Sequence, residues 1–253
     1  PKKIEALAGQ RIVAVAPGYF HSLALTAAGA VWSWGDGGRG KPGPGDTQRQ
    51  LLPKKIEAFA DQRVVAVSAG LSHSFAITAD GSVWSWGIGY FGKLGHGDSQ
   101  NQQLPKKVEA FAGQRVVAVS AGGGHSLALT ADGAVWSWGD GGYGKLGHGG
   151  HQSQLRAKKA EAAAGQRAVA VSAGQQHRLA RTADGSVWSC RSGGGGKLGH
   201  GDVQNQLLPK KIEALAEQPV VAVSAGRQHS IALTADGALW SWGWGALGQL
   251  GHG

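Results

Sequence analysis

A histidine returns every 52 residues, at His21, His73, His125, His177 and His229, with no insertion or deletion between copies. Each lies in the same text, which in its third copy runs from Val116 through Gly122-Gly123-Gly124-His125 to Trp136-Ser137-Trp138-Gly139. A fixed period of this length excludes a fold built on one unique core. It requires units that cannot bury their apolar faces alone and so stack on one another. The chain is therefore read as a single domain over 1–253, with repeats at 1–52, 53–104, 105–156, 157–208 and 209–253.

Each repeat holds four short strand candidates. Pro-Lys-Lys-Ile-Glu-Ala begins at Pro1, Pro53, Pro105 and Pro209, with Ala157 in the fourth copy; proline suits an edge strand, which need not donate at that position. In Val64 to Gly70, alternation places Val65 and Val67 on one face and Ala66 and Ser68 on the other. His-Ser-Leu-Ala-Leu-Thr and Ala-Val-Trp-Ser-Trp-Gly follow, and Ala-Asp-Gly between them predicts a hairpin whose two turn residues tolerate positive φ. Gly supplies 44 of the 253 residues, more than twice the usual ~7 %, and its placement between apolar runs marks turns. Four strands per unit and no helix predict an all-β fold, a β-propeller of four-stranded antiparallel blades.

Composition narrows the function classes. Cys190 is the one cysteine, which excludes an intrachain disulfide and a cysteine metal cluster and fits a reducing compartment, so the expected location is intracellular, cytoplasmic or nuclear. No run is long enough for a membrane-spanning helix, so no membrane partner is expected. The net charge of +9 includes one lysine pair per repeat, Lys2-Lys3, Lys54-Lys55, Lys106-Lys107, Lys158-Lys159 and Lys210-Lys211. Such a ring could attract an acidic surface, but Glu5, Glu57, Glu109, Glu161 and Glu213 follow two residues later and partly neutralise it, leaving lysine as an edge-strand guard.

The combination of G-x-x-H-S-L-A-L-T, D-G-x-V-W-S-W-G and G-K-L-G-H-G resembles the regulator of chromosome condensation repeat, a propeller family that includes the plant ultraviolet-B photoreceptor. The resemblance covers essentially the whole chain. It implies rings of seven blades, and seven repeats would need about 364 residues. The five repeats are thus either a five-bladed ring or part of a seven-bladed one, and an incomplete ring could close by self-association between chains.

Two motifs imitate chemistry. Gly87 to Lys93 and Gly139 to Lys145 match G-x-x-x-x-G-K, but Leu94 and Leu146 follow where a phosphate-binding loop needs Ser or Thr and a helix. The reading is a glycine-rich connection. The five repeated histidines are assigned to backbone hydrogen bonds at strand starts, and His96, His148, His200 and His252 to turns. The histidines of both sets and most serines recur with the repeat, so the sequence offers no asymmetric catalytic constellation. The chain is expected to be no enzyme, with no cofactor and no metal.

Repeat four departs most: Ala160, Ala163 and Ala168 replace larger residues, Arg181 stands where its counterparts are Leu or Ile, and Cys190-Arg191 replaces Trp-Gly. This predicts the weakest blade. Elsewhere the informative variation falls on the two residues inside G-x-x-H. The pairs Tyr19-Phe20, Leu71-Ser72, Gln175-Gln176 and Arg227-Gln228 are the candidate partner-binding residues, since loops on a rigid frame are free to encode recognition. In the photoreceptor branch the resemblance implies a tryptophan within this motif; none occurs here, which disfavours ultraviolet-B sensing. The reading is a non-catalytic scaffold that holds another protein on its loop face. The alternative implied by the resemblance is guanine-nucleotide exchange on a small GTPase, with an acidic or chromatin partner.

Overall fold

A computed structural model describes residues 1–160 and 165–253; Glu161 and Ala163 lie outside them, as does the side chain of Arg191. The first sheet has strands β1 (Ile12–Pro17), β2 (His21–Thr26), β3 (Val31–Gly35) and β4 (Gln50–Lys55), paired in that order. The same pattern returns in β5–β8 (Val64–Ala69, His73–Thr78, Val83–Gly87, Gln102–Lys107) and in β9–β12 (Val116–Ala121, His125–Thr130, Val135–Gly139, Gln154–Lys159). Strands β13–β16 (Ala168–Ala173, His177–Thr182, Val187–Arg191, Gln206–Lys211) form the fourth sheet and β17–β19 (Val220–Ala225, His229–Thr234, Leu239–Gly243) the fifth. All the pairings are antiparallel. Consecutive sheets pack face to face, and their first strands, β1, β5, β9, β13 and β17, line a common axis. The sheets are the blades of a β-propeller.

The blades are out of phase with the sequence repeats. Pro53-Lys54-Lys55 does occupy an outer edge strand, but it pairs with β3, Trp32 opposite Lys55 and Ser33 opposite Lys54, and so completes the preceding blade. The strand ends there, and Glu57–Phe59 forms a 3-10 turn that carries the chain inward. The lysine–glutamate pairing survives this change: Lys3 lies 3.3 Å from Glu5 and Lys55 3.3 Å from Glu57.

Two local expectations are corrected. Val65 and Val67 do not share an environment, because the β5–β6 register shifts between Val64 and Ala66. Val65 is the extra residue of a bulge and is exposed, while Val64 turns into the core. In the hairpin, glycine alone takes positive φ, 84° at Gly81. Asp80 instead accepts hydrogen bonds from the Ser82 backbone N–H (3.1 Å) and the Thr78 hydroxyl (2.6 Å). The loop is thus Ala79-Asp80-Gly81, three residues closed by a left-handed glycine.

The core lies in the seams between blades. At the first seam Leu23, Leu25, Val31 and Ile56 meet Phe59, Val64, Ala76 and Trp86, with the Phe59 ring 5.8 Å from Trp84 and 6.0 Å from Trp86. Phe111 repeats this against Trp136 and Trp138. Each seam so built removes two large aromatics and several aliphatic side chains from water, the main stabilising term here. The outermost faces are the two halves of one more such seam. Val15 on the first blade is 70 % exposed and Leu239 on the fifth 68 %, whereas Val31 and Val83, which correspond to Leu239, are fully buried.

A polar thread also crosses the seams. His21 Nε2 lies 2.8 Å from Ser74 Oγ, His73 Nε2 2.9 Å from Ser126 Oγ, and His177 Nε2 2.7 Å from Ser230 Oγ. Each serine hydroxyl donates to a carbonyl of the preceding blade, that of Lys41, Lys93 or Lys197, so the histidine must donate from Nε2. His21, His73 and His177 thus bond a neighbouring blade's side chain through Nε2, where the sequence suggests the backbone at their own strand start. Indole N–H groups of Trp86, Trp138 and Trp242 reach the same three carbonyls at 3.1, 2.8 and 3.0 Å.

Candidate interaction face

Because His21 pairs with Gly35 across β2 and β3, the loop before β2 and the connection after β3 emerge at the same end of a blade. Five such ends surround the axis. There they enclose a depression of about 280 Å³, lined among others by Tyr19, Leu71, Gly123, Gln175 and Arg227. The backbone fixes this ring: the N–H groups of Tyr19, Leu71, Gly123 and Gln175 donate to the carbonyls of Gly70, Gly122, Gly174 and Gly226 on the next blade, at 3.2–3.3 Å. The first residue of each of the first four variable pairs is thereby held at the mouth without using its side chain.

The side chains make the mouth asymmetric. Tyr19 and Phe20 are 58 % and 56 % exposed and stack edge to face at 4.6 Å. Across the axis the Arg227 Nε donates to Gln175 Oε1 at 2.8 Å. Gly123 and Gly124 leave the third blade low between these two sides. Of the remaining candidates, Gln176 and Gln228 are half-buried, and Ser72 is buried and committed, accepting from Lys93 Nζ at 2.9 Å. Ser72 is a support of the face and presents nothing to a partner.

Sequence reasoning missed a second row of residues at this end. Arg39, Phe91 and Tyr143 occupy one repeat position and take φ of 62°, 61° and 59°, a left-handed conformation that non-glycine residues seldom hold. All three are exposed. The Arg39 guanidinium lies 4.9 Å from the Tyr90 ring centre. The signal was available, since this position holds Arg, Phe, Tyr, Gly and Leu in turn within the glycine-rich connection.

The same connections carry buried lysines. Lys41 pairs with Asp36 at 2.6 Å and Lys145 with Asp140, which ties each loop to its own blade. The Asp36 carboxyl is held below its usual range by the Lys41 hydrogen bond and the Gly38 N–H. Lys93 has Ile88 where the others have aspartate, and burial with the nearby Arg39 charge lowers its pKa to about 8. These lysines brace loops; they do not reach a phosphate. Among the described residues no three His, Cys, Asp or Glu side chains converge as a metal site, and no helix is long and apolar enough to cross a membrane.

Near-identical blades with a variable, asymmetric mouth define a propeller that presents residues on a rigid frame. A family model for the RCC1-like domain matches residues 1–253, and the chain belongs to that family. It is 37 % identical to the ultraviolet-B receptor UVR8 of Arabidopsis thaliana, over 100 % of the chain and 58 % of the receptor. To the human E3 ubiquitin-protein ligase HERC2 it is 41 % identical, over 95 % of the chain but 5 % of that protein. The solved structure of human WBSCR16 superposes with a TM-score of 0.84 at 24 % identity, covering 93 % of this chain and 62 % of that one. Saccharomyces cerevisiae Prp20p, whose structure is described with its binding properties to Gsp1p and histones, gives 0.62 at 23 %, covering 96 % and 74 %. The chain thus spans less than two thirds of the length of each of the curated relatives named here.

Proposed function

We propose that this propeller is a non-catalytic scaffold that docks another protein on its axial end face. The observation that carries the reading is the convergence of Tyr19, Leu71, Gln175 and Arg227 on one mouth whose sides differ in chemistry, with Phe20 stacked on Tyr19 beside it. Tyr19, Phe20 and Leu71 offer apolar contact area, and Arg227 offers a fork for a carboxylate, a combination typical of interface anchors. A partner presenting an apolar side chain beside an acidic one fits both. The test is affinity capture with wild type, with Tyr19→Ala/Phe20→Ala, with Arg227→Glu, and with Gln114→Glu at the opposite end of a blade. The reading expects a protein that binds wild type and Gln114→Glu and is lost from both face variants. A set of bound proteins identical across all four would refute it.

Guanine-nucleotide exchange on a small GTPase is the second reading. It rests on family membership and on the likeness to Prp20p, and the excess of positive charge suits an acidic or chromatin partner. The variable pairs carry no carboxylate, which favours the scaffold. Release of labelled nucleotide from a panel of small GTPases decides: acceleration abolished by Arg227→Ala supports exchange, and no acceleration removes it.

A further inference from the structure

The departures of the fourth blade converge on one place. Ala160, Ala168, Arg178 and Cys190 all line a cavity of about 40 Å³ in the seam between the third and fourth blades, with Trp188, Ser189 and the stem of Lys159. In other seams the first two positions hold Ile, Val or Leu-sized groups, here reduced to Ala. Arg178 and Cys190 sit directly opposite each other across β14 and β15. Their counterparts elsewhere are the serine and tryptophan of the seam thread: Ser74 with Trp86, Ser126 with Trp138, Ser230 with Trp242. The exchange is coordinated, one position growing as the other shrinks.

Geometry shows what the arginine replaces. A Cβ placed on Gly95 or Gly199 would lie 3.0 Å from the indole nitrogen of Trp138 or Trp242, whereas one on Gly147 would meet Nη2 of Arg178. The guanidinium therefore stands where an indole N–H stands in the neighbouring seams. It differs in carrying a charge. Arg178 is 4 % exposed, its Nε donates to Cys190 Sγ at 2.8 Å, and among the described residues its Nη1 has no hydrogen-bond partner. Among the described residues no carboxylate forms an ion pair with it. A guanidinium out of water without a counter-charge is strongly disfavoured, and the imbalance is relieved by an anion held against it.

We infer that the seam cavity binds a small monovalent carboxylate, of the size of formate or acetate, on Arg178 Nη1. The alanine truncations supply the room, and the guanidinium supplies the charge-assisted hydrogen bond. The cavity is large enough for a few water-sized groups and too small for a nucleotide or a peptide. This site is separate from the axial face and does not depend on the scaffold reading.

The probe is formate. Saturation transfer from the protein to the formate proton reports binding directly, and urea unfolding at constant ionic strength reports its linkage to folding. Wild type is expected to give a saturable transfer signal, and formate at ten times its Kd should raise the folded-to-unfolded ratio about elevenfold. Arg178→Gln should lose both responses. Should that variant fail to fold, Arg178→Ser/Cys190→Trp, which restores the pair used by the other blades, should fold with both responses absent. Equal signals in wild type and the double variant, or none in wild type, would overturn the proposal.

Discussion

Acid should destabilise this protein from about pH 6.5 downward, well before its carboxylates titrate. Burial lowers the pKa of His21 to about 4, reinforced by the nearby Lys41 charge, and holds His73 well below its ordinary value. Both are neutral in the folded chain and donate to a serine across a seam. In the unfolded chain each takes up a proton near pH 6.5. Stability from these groups is therefore fully present above the unfolded pKa and is lost as pH falls toward the folded one. Between pH 7 and pH 5 linkage gives a loss of about 2 kcal/mol for His21, and His73 adds to it in the same direction. Burial lowers His96 and His200 in the same direction. Asp80 and Asp184, held at about 2 by threonine hydroxyls and backbone N–H groups, contribute below this window, because their unfolded counterparts titrate near 3.8. Urea unfolding at pH 7, 6 and 5 measures the loss. The decisive comparison is His73→Gln, whose amide keeps a donor toward Ser126 but cannot titrate: its pH 7-to-5 loss should be smaller than that of wild type, whatever the substitution costs at pH 7. Equal losses in the two proteins would refute the argument that seam histidines are neutral and proton-excluding.

Ser126→Ala removes the hydroxyl that accepts from His73 and donates to the Lys93 carbonyl, leaving a buried imidazole N–H without a partner; a loss of about 2 kcal/mol in chemical unfolding is expected. Ile88→Asp gives Lys93 the carboxylate that Lys41 and Lys145 already have. Its pKa should rise from about 8, read by NMR titration, and each unit of rise should add ~1.4 kcal/mol of stability at neutral pH.

The seam chemistry explains what could be read from the chain and what could not. Leu, Val and Trp recur at fixed places because every seam reuses them, so periodicity alone exposed the propeller. The phase of the blades did not follow, because Lys54 and Lys55 find their partners in β3 only after a connection of 14 residues, 36–49, whose path no local pattern records. The role of His21 was likewise hidden: its partner Ser74 is 53 positions away, and within one repeat the histidine looks like a local turn device. The variable pairs gather at one end of the molecule, yet Ser72 faces inward because Lys93 demands an acceptor there. In the fourth blade, Arg181 drew attention as an arginine among leucines; it is half-buried and its guanidinium reaches the Val220 carbonyl at 3.4 Å. Arg178 was not singled out: it replaces the serine of the other blades, and its meaning depends on Cys190 opposite.

The carbonyls of Lys41, Lys93 and Lys197 each belong to the loop of one blade and are gripped by the serine and tryptophan of the next. A sheet lifted out alone would therefore leave its own loop without a grip and carry a grip with nothing to hold. The modular part of this architecture is the joint, not the blade. A copy inserted in phase brings one complete joint with it and leaves the others untouched, so such an array can lengthen by duplication without redesign. A single joint can also change its internal chemistry, as the one at Arg178 has, while the ring of loops above it keeps its register.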